Sequence, residues 1–478
     1  MLKPNLKLMA HQQDAVEFVV KNNGIGALFH EVGCGKTLSS LAIFNHFKQK
    51  EPLLKLLVIC PISLIHGAWV KEIEKFTDYT WNDLHGKEYL PKSDIFLINF
   101  ESLISDKKFK NLTENVLLGK WMIVIDESSK MKNHKAKTTE KILELKNKFI
   151  FRIICSGSPS PNIEWEYWPQ IRFLNDNVLF NNFYKFRNTF FVMSRGKEII
   201  PGAVYSKYAL KEMFEKGYKY SFDNGKRDEF FNRIKPFCHM VKAKDCLDLP
   251  ESIDEYNMVD IKDQQLKTYK EMSREYFTEI KSEISGQEDS IAVANIVLTK
   301  ILRLRQITSG FITDANGNAV PVTQSNPKIN ALLDIVEQCG NEQIIIWCQF
   351  RWEIAQILTH LEKIAGVSQL HGGIKESDRI NHVNDFISGK NRFLLAHPAS
   401  ASHGLTFVNC HFAIYYSFNY SFEEYTQSRG RIMRNGQKNH CVYFHIMVKD
   451  SVDGDVLSIC QKKKDKQEVA EKWLKRIV

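Results

Sequence analysis

Ala27-Leu28-Phe29-His30-Glu31-Val32-Gly33-Cys34-Gly35-Lys36-Thr37-Leu38 sets an apolar run, a glycine-rich turn and the start of a helical pattern end to end. Strand, glycine-rich loop and helix in that order make a phosphate loop. The glycines let successive N–H groups turn toward phosphate oxygens, and the following helix adds its positive N-terminal dipole. In this reading Gly33, Cys34 and Gly35 cradle a nucleotide, Lys36 reaches the β- and γ-phosphates, and Thr37 holds Mg²⁺. Position 30 is His, so the first glycine of the usual eight-residue pattern is missing.

The surrounding texture predicts the architecture that carries such a loop. Short apolar runs at 56–60, 95–100, 122–125 and 149–155 alternate with helical patterns such as Trp69, Val70, Ile73 and Phe76. Continuous apolar strands separated by helices belong to parallel sheets buried on both faces. The same texture returns at 344–348, 393–396, 412–416 and 442–447. The expectation is an α/β chain of two parallel-sheet lobes, 1–165 and 301–455, with a mostly helical insertion and linker at 166–300. A basic helix is expected over 456–478, where 462–478 holds seven Lys/Arg against three acids.

Two further elements complete a hydrolytic site. The run ending Ile125-Asp126-Glu127 places one carboxylate to anchor Mg²⁺ and a second to orient water as general base. Gln427-Ser428-Arg429-Gly430-Arg431-Ile432-Met433-Arg434 carries two arginines three apart, which share one face of a helix. Arg431 and Arg434 would then stand against the γ-phosphate as arginine fingers, beside Gln427. Supplied by separate lobes, the halves let ATP close a cleft and hydrolysis open it.

Bulk composition narrows the class. A length of 478 residues with 44% hydrophobic and 25% charged residues suits two or three soluble domains. The net charge of +9 is compatible with a polyanionic partner or with solubility alone. The ten cysteines include no C-x-x-C pair, so zinc ribbons and disulfide frameworks are excluded and a reducing compartment is expected. No signal-peptide pattern or apolar run of 18 residues is present, which predicts no membrane and a cytoplasmic location, or nuclear in a eukaryotic source. The cluster Phe180, Phe183, Tyr184, Phe186, Arg187, Phe190 and Phe191 reads either as a small helical core or as a surface that stacks nucleic acid.

The series of motifs resembles the superfamily 2 helicase-like ATPases, and within them the Swi/Snf-type double-stranded DNA translocases. Leu8-Met9-Ala10-His11-Gln12 is similar to the element whose glutamine reads adenine, here Gln12. Pro61-Ile62-Ser63-Leu64 with Trp69 and Glu72 resembles an element that touches the DNA backbone, and Asn99-Phe100-Glu101-Ser102-Leu103 the next strand-end motif. Asp126-Glu127-Ser128-Ser129 stands for D-E-x-H, followed by Lys132-Asn133. Ser156-Gly157-Ser158-Pro159, Leu247-Asp248-Leu249-Pro250, Leu304-Arg305-Gln306-Ile307, Leu370-His371-Gly372-Gly373 and His403-Gly404-Leu405-Thr406 follow in the family's order. Arg434-Asn435-Gly436-Gln437 resembles a Swi/Snf signature. Ser129 departs from the pattern by replacing a histidine that links ATP to DNA in relatives.

The resemblance implies two RecA-like lobes, ATP and Mg²⁺ as cofactors, Gly404 as a further nucleotide contact, and translocation along double-stranded DNA. Ser63, Asn99, Lys132, Gln349, Arg351 and Ser400 are the candidate backbone contacts. A chain that is almost wholly motor fits fork regression, branch migration or unwinding of branched DNA in replication, recombination or repair, acting as a monomer, with replication or recombination proteins as possible partners. The alternatives are displacement of bound protein such as RNA polymerase, an RNA helicase, and an inactive DNA-binding scaffold.

Overall fold

In the computed structural model, residues 1–85, 92–160, 162–195, 198–200, 219–285, 299, 301–401, 405–458, 460 and 462–463 are described. The strands, in chain order, begin with β1 (Ile25–His30), β2 (Lys55–Cys60), β3 (Trp81–Asp83), β4 (Ile95–Asn99), β5 (Trp121–Asp126) and β6 (Phe151–Cys155). Then come β7 (Phe191–Arg195), β8 (Glu198–Ile200), β9 (Lys219–Phe222), β10 (Cys238–Val241), β11 (Ser252–Val259), β12 (Phe311–Thr313) and β13 (Ala319–Pro321). The last five are β14 (Ile344–Trp347), β15 (Val367–Leu370), β16 (Phe393–Ala396), β17 (Phe412–Tyr415) and β18 (Cys441–Val448).

Two parallel sheets organise the chain. The first runs β10-β1-β6-β5-β2-β4-β3 and the second β11-β18-β17-β14-β16-β15. Alternate residues of each central strand serve opposite cores. Leu57, Ile59, Ile123 and Ile125 join one cluster, and Leu56, Val58, Met122 and Val124 join another. Ile345 and Trp347 divide from Ile344 and Ile346 in the same way in the second lobe. Both faces are covered, so the strands read as unbroken apolar runs.

The stretch 166–300, expected as a mostly helical insertion, is built differently. It holds the helices Tyr167–Leu174, Phe183–Phe190, Arg227–Ile234 and Asp263–Ser285, and also the antiparallel sheet β8-β7-β9. It further gives one strand to each lobe: β10 pairs with β1, and β11 pairs over its whole length with β18. The crossing between lobes therefore lies between Val241 and Ser252. The aromatic cluster is mainly core, since Phe186, Phe190 and Phe230 are fully buried and pack with the first lobe. The expected basic helix extends past residue 463 and so lies largely outside the described residues. Among them, no helix is long and apolar enough to cross a membrane.

One buried ion pair fastens the second lobe. Lys328, 1% exposed at the start of helix Pro327–Gln338, places Nζ 2.8 Å from Asp453 Oδ2. Thr308 Oγ1 donates to Asp453 Oδ1 and the Val448 amide to Oδ2, each at 3.1 Å. Removing one partner of such a pair strands the other charge in the interior. Lys328→Met is expected to cost about 3–5 kcal/mol of stability, read as a lowered urea midpoint. A midpoint unchanged from the parent would show that Asp453 finds water instead.

Candidate functional site

The phosphate loop has the backbone its glycines anticipate. Gly33 and Gly35 have φ of +92° and +67°, where side chains other than glycine are strained. A Cβ on Gly35 would stand 2.3 Å from Gln12 Nε2, so the glycine also makes room for Gln12. Gln12 is buried and its Oε1 accepts from the Met9 amide at 3.0 Å, while the neighbouring His11 Nε2 lies 3.0 Å from the Cys34 carbonyl oxygen. Helix Ala10–Lys21 is thereby seated on the loop. Lys36 and Thr37 open helix Lys36–Lys50, and Lys36 Nζ donates to the carbonyls of His30 at 2.9 Å and Glu31 at 3.4 Å.

Asp126 ends β5 and is buried. Its Oδ2 accepts from Trp69 Nε1 at 3.0 Å and its Oδ1 from the Glu127 amide at 3.0 Å. Glu127 has φ of +56°, a conformation uncommon outside glycine and one that concentrates at functional sites. Burial pushes both carboxyls upward, Glu127 to about 7, and the nearby Lys36 charge opposes the rise. Thr37, half-buried at a helix start, and Asp126, a buried strand-end carboxylate, offer oxygen donors. Mg²⁺, which keeps waters and substrate phosphates in its shell, fits such a set.

The second lobe brings its half to this loop. Helix Phe422–Arg429 stops at Gly430, so Arg431 and Arg434 lie in the turn beyond it rather than on a helix face. They converge all the same. Both Nη1 atoms donate to the Leu405 carbonyl, Arg431 at 2.8 Å and Arg434 at 3.2 Å, and Arg431 Nε donates to the Gln427 carbonyl at 3.2 Å. A Cβ on Gly33 would meet Arg434 Cγ at 3.3 Å, and one on Gly430 would meet Val32 Cγ1 at 2.9 Å. The lobes are in contact there, at a distance that only glycine allows. Burial and then the like charge of Arg434 pull Arg431 down to about 9, and burial also lowers Arg434. Two guanidiniums crowded beside a phosphate loop favour an anion between them.

Three residues join the site without having been singled out for it. Trp69 holds Asp126. Glu72, grouped in sequence with the DNA-backbone element, lies instead where the Arg434 charge acts on it, and its Oε2 is sealed from solvent without a hydrogen bond. Glu423 reaches across from the second lobe: its Oε1 accepts from Ser129 Oγ at 3.0 Å and its Oε2 lies 3.7 Å from Lys132 Nζ. The W…E spacing was a signal for the first two; a surface-like acid pair at 423–424 gave none for the third.

The expected track contacts divide. Ser63 is exposed just past the end of β2, Arg351 is exposed at the start of helix Arg351–Leu361, and Ser400 is half-buried past β16. Gln349 is half-buried, with Oε1 accepting from Asn419 Nδ2 at 3.1 Å. Lys132 faces Glu423. Asn99 is buried, with Oδ1 accepting from Ser102 Oγ at 2.5 Å and Nδ2 donating to Glu101 Oε2 at 2.8 Å, so its amide is taken up by the turn after β4. Gly404, the expected further nucleotide contact, lies outside the described residues, as does His403.

A family profile described as an SNF2-related domain matches residues 11–310, and one described as a helicase conserved C-terminal domain matches 327–436. Putative protein p41 of Acyrthosiphon pisum secondary endosymbiont phage 1 is 23% identical over 93% of this chain and 94% of its own length. The putative ATP-dependent helicase/translocase YwqA of Bacillus subtilis is 24% identical over 90% of this chain. The chain spans only 44% of that relative. A solved structure, the Sulfolobus solfataricus SWI2/SNF2 ATPase core in complex with dsDNA, is 22% identical, covering 99% of this chain and 98% of its own, with a TM-score of 0.44.

Glu72 offers a test of the cleft's electrostatics. Burial raises its carboxyl to about 7, only partly opposed by Arg434. A carboxyl raised on folding is worth most when protonated, so its contribution is present in acid and is lost as pH rises through 7. Glu72→Gln is expected to raise stability by about 1–2 kcal/mol at pH 8 and to change little at pH 5. A fall at pH 8 would mean that the charged carboxylate is paired.

Proposed function

Because the chain belongs to the SNF2-related family, whose members include ATP-dependent helicases and translocases, we propose that its ATPase drives translocation along double-stranded DNA and remodels branched DNA. The observation that carries this reading is the pair of half-sites: a phosphate loop and two carboxylates on one lobe, two converging arginines on the other. A nucleotide held by both halves draws the lobes together, and loss of the γ-phosphate releases them.

In the proposed reaction Gln12 orients the base. The loop amides of Gly33, Cys34 and Gly35 and the Lys36 ammonium hold the phosphates. Glu127 orients water and takes its proton, and Arg431 and Arg434 meet the charge that develops on the transferring group. Mg²⁺ held by Thr37 and Asp126 would neutralise phosphate charge. Ser63 and Arg351, both exposed past strand ends of different lobes, grip successive phosphates of one strand, so that closure becomes a step. Such contacts carry no sequence code.

Support for the branched substrate comes from the element between the lobes. Tyr184 is 57% exposed, with Lys185 exposed beside it and the Arg187 guanidinium 5.3 Å from the Tyr184 ring centre. An exposed aromatic flanked by cations on a rigid core is suited to stacking on a base pair where strands part.

Two experiments test this. With Glu127 as the base, turnover is expected to fall about tenfold per pH unit below 7 and to level off above it, and Glu127→Gln is expected to abolish it; a profile flat from pH 5.5 to 8.5 would reassign the base. ATP turnover measured with duplex, forked, four-way and single-stranded DNA and with RNA should be highest on branched duplexes. Tyr184→Ala should lower junction conversion severalfold while leaving duplex-stimulated turnover near the parent's. Stimulation by RNA alone would end the translocase reading, and equal stimulation by plain duplex would end the branched one.

A further inference from the structure

The phosphate loop carries a thiol that sits against another thiol 212 residues away. Cys246 Sγ lies 3.8 Å from Cys34 Sγ. Cys34 is the residue between the two left-handed glycines and is 1% exposed. Cys246 ends the short helix Ala243–Cys246, inside the crossing that carries the chain from β10 of the first sheet to β11 of the second. The two segments are already docked: the Glu31 amide donates to the Val241 carbonyl at 2.9 Å, the Ala243 amide donates to Glu31 Oε2 at 2.8 Å, and Leu247 Cδ1 lies 3.9 Å from the Cβ position of Gly33.

Exposure separates the two sulfurs. Of the ten cysteines nine are buried, and Cys246 alone is not. An oxidant therefore reaches Cys246 first, and the sulfur in contact with it is that of Cys34. Burial holds the Cys34 thiol well above its ordinary range, so it is inert until a partner sulfur beside it is activated.

We propose that Cys34 and Cys246 form a reversible disulfide under peroxide, which ties the phosphate loop to the inter-lobe crossing and switches the ATPase off. The Cys246 thiolate attacks one peroxide oxygen, an S–O bond forms, the O–O bond breaks, and hydroxide leaves as water. The Cys34 sulfur then attacks the Cys246 sulfur: the S–S bond forms, the S–O bond breaks, and the Cys34 proton leaves with the departing hydroxide as a second water. Two thiols give up two electrons, and one peroxide becomes two waters. A dithiol reverses the step by exchange. The bond would act at two places at once. It fixes the loop whose amides must turn to phosphate, and it anchors the segment that must flex when the lobes part.

The activity half of this inference rests on the ATPase reading; the linkage half does not. Purified full-length protein is treated with hydrogen peroxide, then divided for non-reducing peptide mapping and for ATP turnover before and after dithiothreitol. The expected result is a linked Cys34–Cys246 peptide, a turnover loss of at least tenfold, and recovery on reduction. Cys246→Ser and Cys246→Ala are expected to keep the parent's basal turnover and to lose the peroxide effect. Absence of the linked peptide overturns the proposal, as does a Cys246→Ser protein inactivated as fully as the parent. A linked peptide with unchanged turnover overturns the switch. A protein with no basal turnover at all overturns the motor reading, and the peptide map still decides the linkage.

Discussion

Asp126 is a carboxylate buried at the end of a parallel strand, and the first lobe is arranged around making that burial tolerable. An isolated ion in such a place costs several kcal/mol. Here Trp69 Nε1 and the Glu127 amide each donate to it at 3.0 Å, and the Lys36 charge lies close enough to oppose its rise in proton affinity. These three partners come from the helix after β2, the turn after β5 and the helix after β1. Two strand ends are thus bonded to one oxygen pair, and the charge of a third stands near it. Glu127 is held with φ of +56° by the same turn, a strain of order 1–3 kcal/mol that persists only where surrounding contacts over-determine it.

The sheet order sets two groups of strand ends side by side. β1, β6 and β5 lie together and open on the phosphate loop and the two carboxylates, while β2 and β4 lie to one side and open on Ser63 and its neighbours. In open parallel sheets ligands gather at the carboxyl ends of strands. Trp69 spans the boundary, because the segment that carries Ser63 at its start carries Trp69 one turn and a half later, and Trp69 touches Asp126. A shift of that segment is therefore transmitted to the buried carboxylate of Asp126.

What the sequence disclosed follows from where its chemistry is local. The loop of Gly33, Gly35 and Lys36, the pair Asp126-Glu127 and the unbroken apolar strands are each contained within a few residues, so periodicity and spacing find them. β11 was hidden because it is an edge strand whose Ile253, Tyr256 and Met258 are exposed among Asp254, Glu255 and Asn257, which reads as a polar coil. β10 was hidden by its four-residue length. The arginine pair was legible in spacing and misplaced in geometry: Gly430, required for close approach to Val32, ends the helix that the spacing predicts. Asn99 was a candidate backbone contact by resemblance, and its partners Ser102 and Glu101 meet its amide only once the turn has formed. Glu423 was invisible, since its value depends on a contact 294 residues away.

That contact bears on the departure at position 129. Where the family pattern has histidine, a serine is too short to reach far, and the reach comes from the opposite lobe. Ser129 Oγ donates to Glu423 Oε1 and Lys132 stands near Oε2, so the link exists only while the lobes meet. A hydrogen bond to a charged group contributes about 1.5–3 kcal/mol, enough to bias closed against open by roughly ten- to a hundredfold. The same acid has a second effect. Burial is the largest cause of the raised Glu127 carboxyl, but the Glu423 charge adds to it. The second lobe thus sets two opposed charges on Glu127, Glu423 raising its proton affinity and Arg431 lowering it. With serine at position 129, the contact across the cleft is made by the acid of the second lobe.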